Sequence, residues 1–135
     1  MMKILVIDAQ GGGIGKQLIT AIKKEMPDSE VMAVGTNTTA TAAMLKAGAN
    51  HAATGENSVV VACRKADVII GPIGIVIADS MFGEITPAMA LAIAQADAKR
   101  ILIPFRNCDN LIPGISEFTV GELIEKAIEE LREYW

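Results

Sequence analysis

The sequence predicts an α/β protein in which a doubly wound parallel sheet of about five strands lies between two layers of helices. Short β-branched and apolar runs alternate along the chain with stretches of helical periodicity, as in such folds. The four consecutive apolar residues Ile4 to Ile7 are typical of a parallel strand covered on both faces. Apolar residues make up 51% of the 135 residues and aromatic residues only 4%, which favours one domain with an Ala, Ile and Val core.

The alternation resolves into five strands and five helices. Pro27 ends the first helix and Gly48 the second, because proline cannot continue a helix and glycine suits its left-handed end. The predicted strands are Lys3–Asp8, Glu30–Gly35, His51–Thr54, Asp67–Gly71 and Arg100–Phe105, and the predicted helices are Gly13–Met26, Thr39–Ala47, Ser58–Lys65, Pro87–Ala96 and Val120–Glu133.

Capping residues mark the starts of the last three helices. Ser58 is the N-cap candidate of the third helix, and Thr86 precedes a proline at the first position of the fourth. Thr119 and Glu122 have the spacing of a capping box before the fifth helix. The apolar residues of that fifth helix fall on one face, which predicts that it packs on the sheet.

The turn after the first strand contains four glycines in five residues. Such a turn lets the backbone approach a ligand closely, and the following helix directs free N–H groups and its positive dipole end toward an anion. The alternative is a tight turn without a ligand. Because a glycine in a regular element costs about 1 kcal/mol, we favour binding of an anion or nucleotide. The predicted binding residues are Gln10, Gly11, Gly12, Gly13, Ile14, Gly15 and Lys16.

Two nucleotide-binding motifs fit this turn only in part. The dinucleotide fingerprint G-x-G-x-x-G aligns with Gln10, Gly12 and Gly15 and lacks its first glycine. A P-loop needs Ser or Thr after Lys16 to hold Mg²⁺, where this chain has Gln17. Phosphate binding therefore fits the turn better than ATP hydrolysis does.

The end of the second strand usually distinguishes NAD from NADP. Here Thr36 and Asn37 supply neither a carboxylate for the ribose nor a basic residue for a 2′-phosphate. They either hydrogen-bond a ribose or phosphate, or cap the next helix. NAD, NADP and another adenine nucleotide are therefore all candidate cofactors.

Carboxylates are predicted at the carboxyl edge of the sheet, where the first and fourth strands diverge. Asp8 ends the first strand, and Asp79 and Glu84 lie in the long connection after the fourth. They are candidate general bases, acceptors for hydroxyl groups or, where two converge, Mg²⁺ ligands, although no resident metal is predicted. The alternative for Asp8 is an acceptor that ties down the N–H groups of the glycine turn, and Glu84 is expected to be solvated.

Two further segments follow predicted strands at the same edge. Gly71 and Pro72 would close over a ligand with a backbone surface. Arg106 and Asn107 begin the densest polar cluster of the chain, where an arginine would pair a phosphate or carboxylate and an amide would contact a polar group. With Asp8 and Asp79 they are the candidate catalytic residues. Cys108 is either a nucleophile or, as we favour, a bystander thiol.

The apolar part of the long connection predicts contact with a second subunit. These residues either cover the crevice or form a subunit interface, and the interface is favoured, so we expect a homodimer or homo-oligomer. They are Ile75, Val76, Ile77, Met81 and Phe82.

Charge and hydropathy exclude several partners. The net charge of −4, without a basic stripe, argues against a nucleic-acid partner. The longest apolar run, Val68 to Ala78, is too short for a membrane span, which takes about 20 residues. Nothing in Met1-Met2-Lys3 resembles a secretory signal, so the expected location is the cytoplasm.

Two segments together resemble a known family. The run Asp8 to Lys16 and the later run Ile103 to Asn107 look like those of an uncharacterised family of short, Rossmann-like bacterial proteins, over nearly the whole chain. This resemblance implies a stand-alone nucleotide-binding-type domain. Gly13-Ile14-Gly15 also resembles the phosphate loop of the short-chain dehydrogenases, but their Tyr-x-x-x-Lys pair is absent, since the only tyrosine is Tyr134.

Three functions follow from these observations. The leading hypothesis is a cytoplasmic protein that binds an adenine nucleotide or dinucleotide through the glycine turn and acts as a sensor or accessory subunit. The second is a small enzyme for a phosphorylated or carboxylated metabolite, with a site shared between subunits. The third is an interaction dimer without a ligand.

Overall fold

The computed structural model describes residues 2–104 and 110–134. Five strands alternate with five α-helices, as the sequence predicts. The strands are β1 (Lys3–Asp8), β2 (Glu30–Gly35), β3 (His51–Thr54), β4 (Val68–Pro72) and β5 (Lys99–Ile103). The helices are α1 (Gly13–Glu25), α2 (Thr38–Lys46), α3 (Glu56–Cys63), α4 (Pro87–Gln95) and α5 (Val120–Tyr134).

All five strands are parallel and follow the order β3-β2-β1-β4-β5. β1 is central, and its last residue, Asp8, lies in register with Gly35 of β2. From the centre, β2 and then β3 follow on one side of β1, and β4 and then β5 follow on the other. The order therefore reverses between β1 and β4, where doubly wound sheets bind ligands beyond the carboxyl ends of their strands.

Helices cover both faces of the sheet and form a three-layer fold, so the predicted fold class is confirmed. On one face Ile4 and Val6 pack against α1, α2 and α5, and on the other Leu5 and Ile7 pack against α3 and α4. All four of these side chains are buried, because successive residues of a strand point to opposite faces of a sheet that has helices on both.

The capping predictions hold for two helices and are wrong for a third. Thr86 accepts a hydrogen bond from the N–H of Met89, and Thr119 and Glu122 form the expected reciprocal pair. Helix α3 instead begins at Glu56 after Gly55, and Ser58 lies inside the helix, where its hydroxyl donates to the carbonyl of Thr54. Glycine supplies the φ of +105° at this N-cap.

Two short 3-10 helices, Ile73–Val76 and Ile115–Glu117, lie inside the long connections that the sequence left without regular structure. The first places Gly74 and Ile75 in the core beneath α4. None of the helices described is both long and apolar enough to cross a membrane.

Candidate functional site

Three segments meet at the carboxyl edge between β2, β1 and β4, where doubly wound sheets form their ligand crevice. They are the glycine turn, which here includes the first residues of α1 and spans residues 9–15, the start of α2 and the connection of residues 73–86. Parallel strands bring these segments together although they lie far apart in the sequence. We call this region the carboxyl-edge crevice.

Asp8 connects the central strand to the first helix. Its side chain is only 4% exposed, and its two oxygens accept hydrogen bonds from the N–H of Ala9 at 2.8 Å and of Gly15 at 2.7 Å. Gly15 is the third residue of α1, so this carboxylate satisfies one of the N–H groups left without a partner at the start of a helix. Of the two roles considered for Asp8, the geometry favours tying down the glycine turn.

The charge state of Asp8 reflects two opposing effects. Burial raises the pKa of this carboxyl, and the N–H groups of Gly15, Ala9 and Ile14 act to lower it. The negative charge of Glu84 adds to the increase, and the pKa ends above its ordinary value. The carboxyl is therefore easier to protonate than an exposed aspartate.

Two glycines of the turn are required by the packing of the protein itself. A Cβ on Gly12 would lie 2.9 Å from the backbone of Ala40 in α2, and the φ of Gly12 is +73°. A Cβ on Gly15 would lie 2.5 Å from the sulfur of Met44. These residues let α1 and α2 approach closely, so no ligand is needed to explain them.

The other two glycines of the turn have no such requirement. A Cβ on Gly11 or Gly13 would meet nothing within 4 Å, and neither residue has a positive φ. Within residues 2–104 and 110–134, their N–H groups also have no acceptor. The turn thus presents two bare amides beside open space.

Glu84 connects the three segments of the carboxyl-edge crevice through hydrogen bonds. One of its carboxylate oxygens, Oε1, accepts three hydrogen bonds. The donors are the hydroxyl of Thr36 at 2.6 Å, the side-chain amide of Asn37 at 2.8 Å and the N–H of Gln10 at 2.8 Å. Glu84 therefore links the connection after β4 to the turns after β1 and β2, and it is partly buried and hydrogen-bonded, where a solvated side chain was expected.

The same three donors govern the charge of Glu84. Partial burial acts to raise its pKa, but the hydrogen bonds from Thr36, Gln10 and Asn37 outweigh it and hold the pKa below the ordinary value. The carboxylate is consequently ionised at neutral pH. Its second oxygen, Oε2, has no hydrogen-bond donor among the described residues, and it remains available to a hydroxyl or amine.

Asn37 caps the next helix, which is one of the two roles predicted for Thr36 and Asn37, and a contact with a ribose or phosphate stays a prediction. The side-chain oxygen of Asn37 caps α2 by accepting from the N–H of Ala40, and its amide nitrogen donates to the carbonyl of Gln10 and to Glu84. Gln10 has a φ of +52°, unusual for a residue with a Cβ. This backbone conformation turns its N–H toward Glu84.

The other predicted site residues are placed as follows. Asp79 is exposed, with a φ of +65°, and its side chain makes no hydrogen bond to the described residues. Lys16 lies on the outer side of α1, at a cleft shared with Lys46 of α2. The side chain of Ile14 is buried in the core.

Gly71 and Pro72 are the last two residues of β4, and both are buried. A Cβ on Gly71 would lie 2.4 Å from the carbonyl oxygen of Ile7, so the pairing of β1 with β4 already requires a glycine there. The predictions for Arg106, Asn107 and Cys108 fall outside the described residues. No group of three or more His, Cys, Asp or Glu residues in residues 2–104 and 110–134 is placed to hold a metal ion.

The raised pKa of Asp8 predicts a particular pH dependence of stability. A carboxyl that binds its proton more tightly in the folded than in the unfolded chain contributes most below its unfolded pKa, ordinarily 3.8, and loses that contribution as the pH rises through its folded pKa. The free energy of unfolding of the wild type, relative to that of Asp8→Asn, should therefore fall as the pH is raised above about 4. Urea denaturation of both proteins at each pH measures this difference.

Asp28→Asn, at an exposed position, is the matched control for loss of one carboxyl. A difference between wild type and Asp8→Asn that rises with pH would contradict the assigned direction of the pKa change.

Comparisons with known proteins agree with the fold. Saccharopine dehydrogenase (L-Glu forming) from Saccharomyces cerevisiae, in its apo histidine-tagged form, is similar with a TM-score of 0.51 and 14% identity, over 87% of this chain and 24% of that chain. This chain thus spans about a quarter of that protein. A dodecameric FMN-dependent Ubix-like decarboxylase from Escherichia coli O157:H7 has a TM-score of 0.47 and 18% identity, over 97% and 76% of the two chains.

At such identities the first of these likenesses shows the fold alone, which is Rossmann-like. No curated protein matches the chain. The bacterial source and the likeness to the short-chain dehydrogenase loop stay predictions. A family model described as a domain of unknown function, DUF3842, matches residues 3–135, and the chain therefore belongs to that family.

Proposed function

We propose that this chain binds an adenine nucleotide or dinucleotide in the carboxyl-edge crevice and acts as a sensor or accessory subunit. One observation carries the proposal: beside the end of β2, Glu84 presents a carboxylate oxygen that accepts no hydrogen bond from the described residues, next to two amides of the glycine turn that have no acceptor among those residues. The single domain and the cytoplasmic location expected from the sequence belong to the same proposal.

The ribose side of the proposal rests on Glu84. Nucleotide-binding folds of this topology hold ribose hydroxyls with a carboxylate at the end of the second strand. Here β2 ends in Gly35, and Thr36 and Asn37 draw the carboxylate of Glu84 to that position from another connection. Its ionised state favours acceptance from a ribose hydroxyl, because hydrogen bonds to charged acceptors contribute about 1.5–3 kcal/mol.

The phosphate side rests on Gly11 and Gly13. Bare N–H groups next to a helix N-terminus are suited to phosphate oxygens, and the absence of a Cβ leaves room for them. NAD, NADP and other adenine nucleotides all present a ribose joined to a phosphate, which matches a carboxylate adjacent to these amides. The arrangement therefore favours any ligand with a ribose joined to a phosphate and does not distinguish among these nucleotides.

The sensor or accessory role rests on the state of Asp8. Its carboxylate is engaged with the amides of its own turn and is therefore no free base for a ligand. Asp79 is exposed and unsupported by hydrogen bonds to the described residues. Ligand binding by Glu84 and the glycine turn needs neither of them.

The open space beside the glycine turn provides the first test. We expect Gly11→Leu and Gly13→Leu to fold with a midpoint of thermal unfolding no lower than that of the wild type, because no atom lies where the side chains begin and neither glycine has a positive φ. The same variants should lose nucleotide binding, because the side chain occupies the space for the phosphate. Thermal shift and calorimetric titration with NAD, NADP, ATP and AMP at millimolar concentrations measure both effects.

Gly121→Leu is the matched control, since a Cβ on Gly121, in the first turn of α5, would meet only the hydroxyl of Thr119 at 3.9 Å. Absence of stabilisation of the wild type by all four nucleotides would refute the proposal. Equal nucleotide binding by the wild type and both turn variants would show that the phosphate does not bind at the glycine turn.

The ribose contact provides the second test. AMP should bind the wild type about tenfold or more tightly than its 2′,3′-dideoxy analogue, because Oε2 of Glu84 accepts from a ribose hydroxyl. Glu84→Gln should weaken AMP binding and abolish this preference. Isothermal titration of both ligands with both proteins gives the coupling between the carboxylate and the hydroxyls.

Glu129→Gln on the exposed side of α5 controls for loss of one negative charge. If Glu84→Gln still preferred AMP over its dideoxy analogue as strongly as the wild type does, a group other than Glu84 would contact the ribose. The nucleotide proposal itself would stand in that case.

A second proposal, self-association, is favoured by the tip of the connection after β4. Ile75 is buried in the core, contrary to its predicted part in an interface, whereas Phe82 is 98% exposed. Met81 and Phe82 both have positive φ, a conformation that costs of order 1 kcal/mol for such residues. Burial of Phe82 against a second copy of the chain would offset this cost, and we propose a homodimer formed through it.

Light scattering tests the dimer. The wild type should have the mass of a dimer at micromolar concentration, and Phe82→Ser should have the mass of a monomer, because the apolar contact is lost. Leu91→Ser, at another exposed apolar position, should leave the mass unchanged. A monomeric wild type would refute this proposal without affecting the nucleotide proposal.

A further inference from the structure

The end of β2 is the place where sheets of this topology distinguish a 2′-hydroxyl from a 2′-phosphate on a bound ribose. A carboxylate there accepts a hydrogen bond from the hydroxyl, whereas a phosphate is held by hydrogen-bond donors and positive charge. Thr36 and Asn37 are neither acidic nor basic, so the sequence leaves NAD and NADP both open as ligands. In the folded chain, however, Glu84 from another connection lies beside these two residues.

The side-chain donors that follow β2 are engaged within the protein. The hydroxyl of Thr36 donates to Oε1 of Glu84 at 2.6 Å. The amide nitrogen of Asn37 donates to the same oxygen at 2.8 Å and to the carbonyl of Gln10 at 3.0 Å. Because a hydroxyl has one hydrogen to donate and a side-chain amide has two, neither side chain has a hydrogen left for a phosphate oxygen.

The carboxylate of Glu84 brings a negative charge to this place. Partial burial acts to raise its pKa, but its three hydrogen bonds together hold the pKa below the ordinary value, and the group is ionised at neutral pH. Neither of the ion pairs found in the described part of the chain includes Glu84. Its charge adds to the increase that burial causes in the pKa of Asp8, so a second carboxyl lies within electrostatic reach.

The N-terminus of α2 favours an anion and so opposes the charge of Glu84. The N–H groups of Thr38 and Thr39 donate to no acceptor in residues 2–104 and 110–134. The dipole of a helix corresponds to about half a positive charge at this end. A full negative charge on Glu84 exceeds it, and the sum at the end of β2 is therefore negative.

Hydrogen bonds hold Glu84 in place at its backbone and at its carboxylate. In the backbone, the N–H of Glu84 donates to the carbonyl of Met81 at 3.2 Å, and that of Ile85 donates to the carbonyl of Ser80 at 3.3 Å. At the carboxylate, Oε1 accepts from the turns after β1 and β2. Movement of the carboxylate away from an approaching phosphate would break three hydrogen bonds, so the charge stays at the end of β2.

We propose that Glu84 is a specificity-determining residue, which admits nucleotides with a free 2′-hydroxyl, such as AMP and NAD, and excludes those with a 2′-phosphate, such as NADP. This inference rests on the proposed nucleotide function and narrows its class of ligand. The positions of the groups in the crevice fit all of these nucleotides, and the charge of Glu84 separates them. The hydroxyl donates to Oε2, whereas a 2′-phosphate meets an ionised carboxylate and side-chain donors that are already engaged.

Three ligands that differ only at the 2′ position test the proposal in the wild-type protein. They are AMP, 2′-O-methyl-AMP and adenosine 2′,5′-bisphosphate. In isothermal titration of the full chain, AMP should bind about tenfold or more tightly than the bisphosphate. The affinity for 2′-O-methyl-AMP should lie between the two, because this ligand lacks the donated hydrogen but adds no charge. For the same reason NAD should bind more tightly than NADP.

Glu84→Gln separates the charge of the side chain from its shape. The amide keeps an oxygen for the three donors and replaces Oε2 with an N–H group, which a phosphate accepts. The variant should bind AMP less tightly than the wild type does, but the bisphosphate about threefold or more tightly. A side chain with a purely structural role would not produce this gain. Glu129→Gln, at an exposed position of α5, is the matched control and should keep the wild-type ratio of the two affinities.

Equal binding of AMP and the bisphosphate by the wild type, or tighter binding of the bisphosphate, would overturn the selectivity and leave the nucleotide proposal standing. Equal binding of 2′-O-methyl-AMP and the bisphosphate would assign the selectivity to space rather than charge and overturn the role of Glu84. An unchanged ratio of affinities in Glu84→Gln would do the same. Absence of AMP binding to the wild type would refute both proposals. Should Glu84→Gln fail to fold, as judged by circular dichroism, the three ligands in the wild type still decide.

Discussion

The carboxyl edge of this protein depends on the buried carboxylate of Asp8. It ends the central strand and accepts hydrogen bonds from its own turn and from the first turn of α1, which fixes the direction in which the helix leaves the sheet. Gly12 and Gly15 then allow α1 to pack closely on α2. The remaining residues of the turn are left facing outward, and the N–H of Gln10 is directed toward Glu84.

This arrangement gives the crevice an unusual electrostatic character for a phosphate-binding edge. The positive end of α1 is already opposed by Asp8, and Glu84 adds a second carboxylate that stays ionised. At an effective dielectric constant of about 20, two like charges about 4 Å apart repel by about 4 kcal/mol, and each further phosphate charge of a ligand near Glu84 would add to this repulsion. A ligand with few phosphate charges and accessible hydroxyl groups therefore suits the crevice better than a highly charged triphosphate.

The fold was predictable from the sequence because its signals are local. Apolar runs located all five strands, and the capping residues Thr86 and Thr119 located two helix starts. The start of α3 was missed because Gly55 supplies a backbone conformation rather than a capping side chain. The sequence also placed the divergence between the first and fourth strands, which is where the order of the sheet reverses.

The crevice was less predictable because its main contact joins distant residues. Glu84 lies 48 positions after Thr36, and nothing in its neighbours distinguishes it from a solvated glutamate. The glycines pose the same problem, since their roles depend on Ala40 and Met44 in another helix. A carboxylate missing from the end of β2 was a correct observation about the sequence, but the structure brings one there from a different connection.

The two faces of the sheet differ in the helices that cover them. The longest helices, α1 and α5, pack on one face together with α2, whereas the shorter helices α3 and α4 cover the other. Glu56, at the start of α3, accepts a hydrogen bond from the hydroxyl of Thr86, which is the N-cap of α4. The starts of these two short helices are thereby joined at the carboxyl edge, in the same connection that carries Glu84.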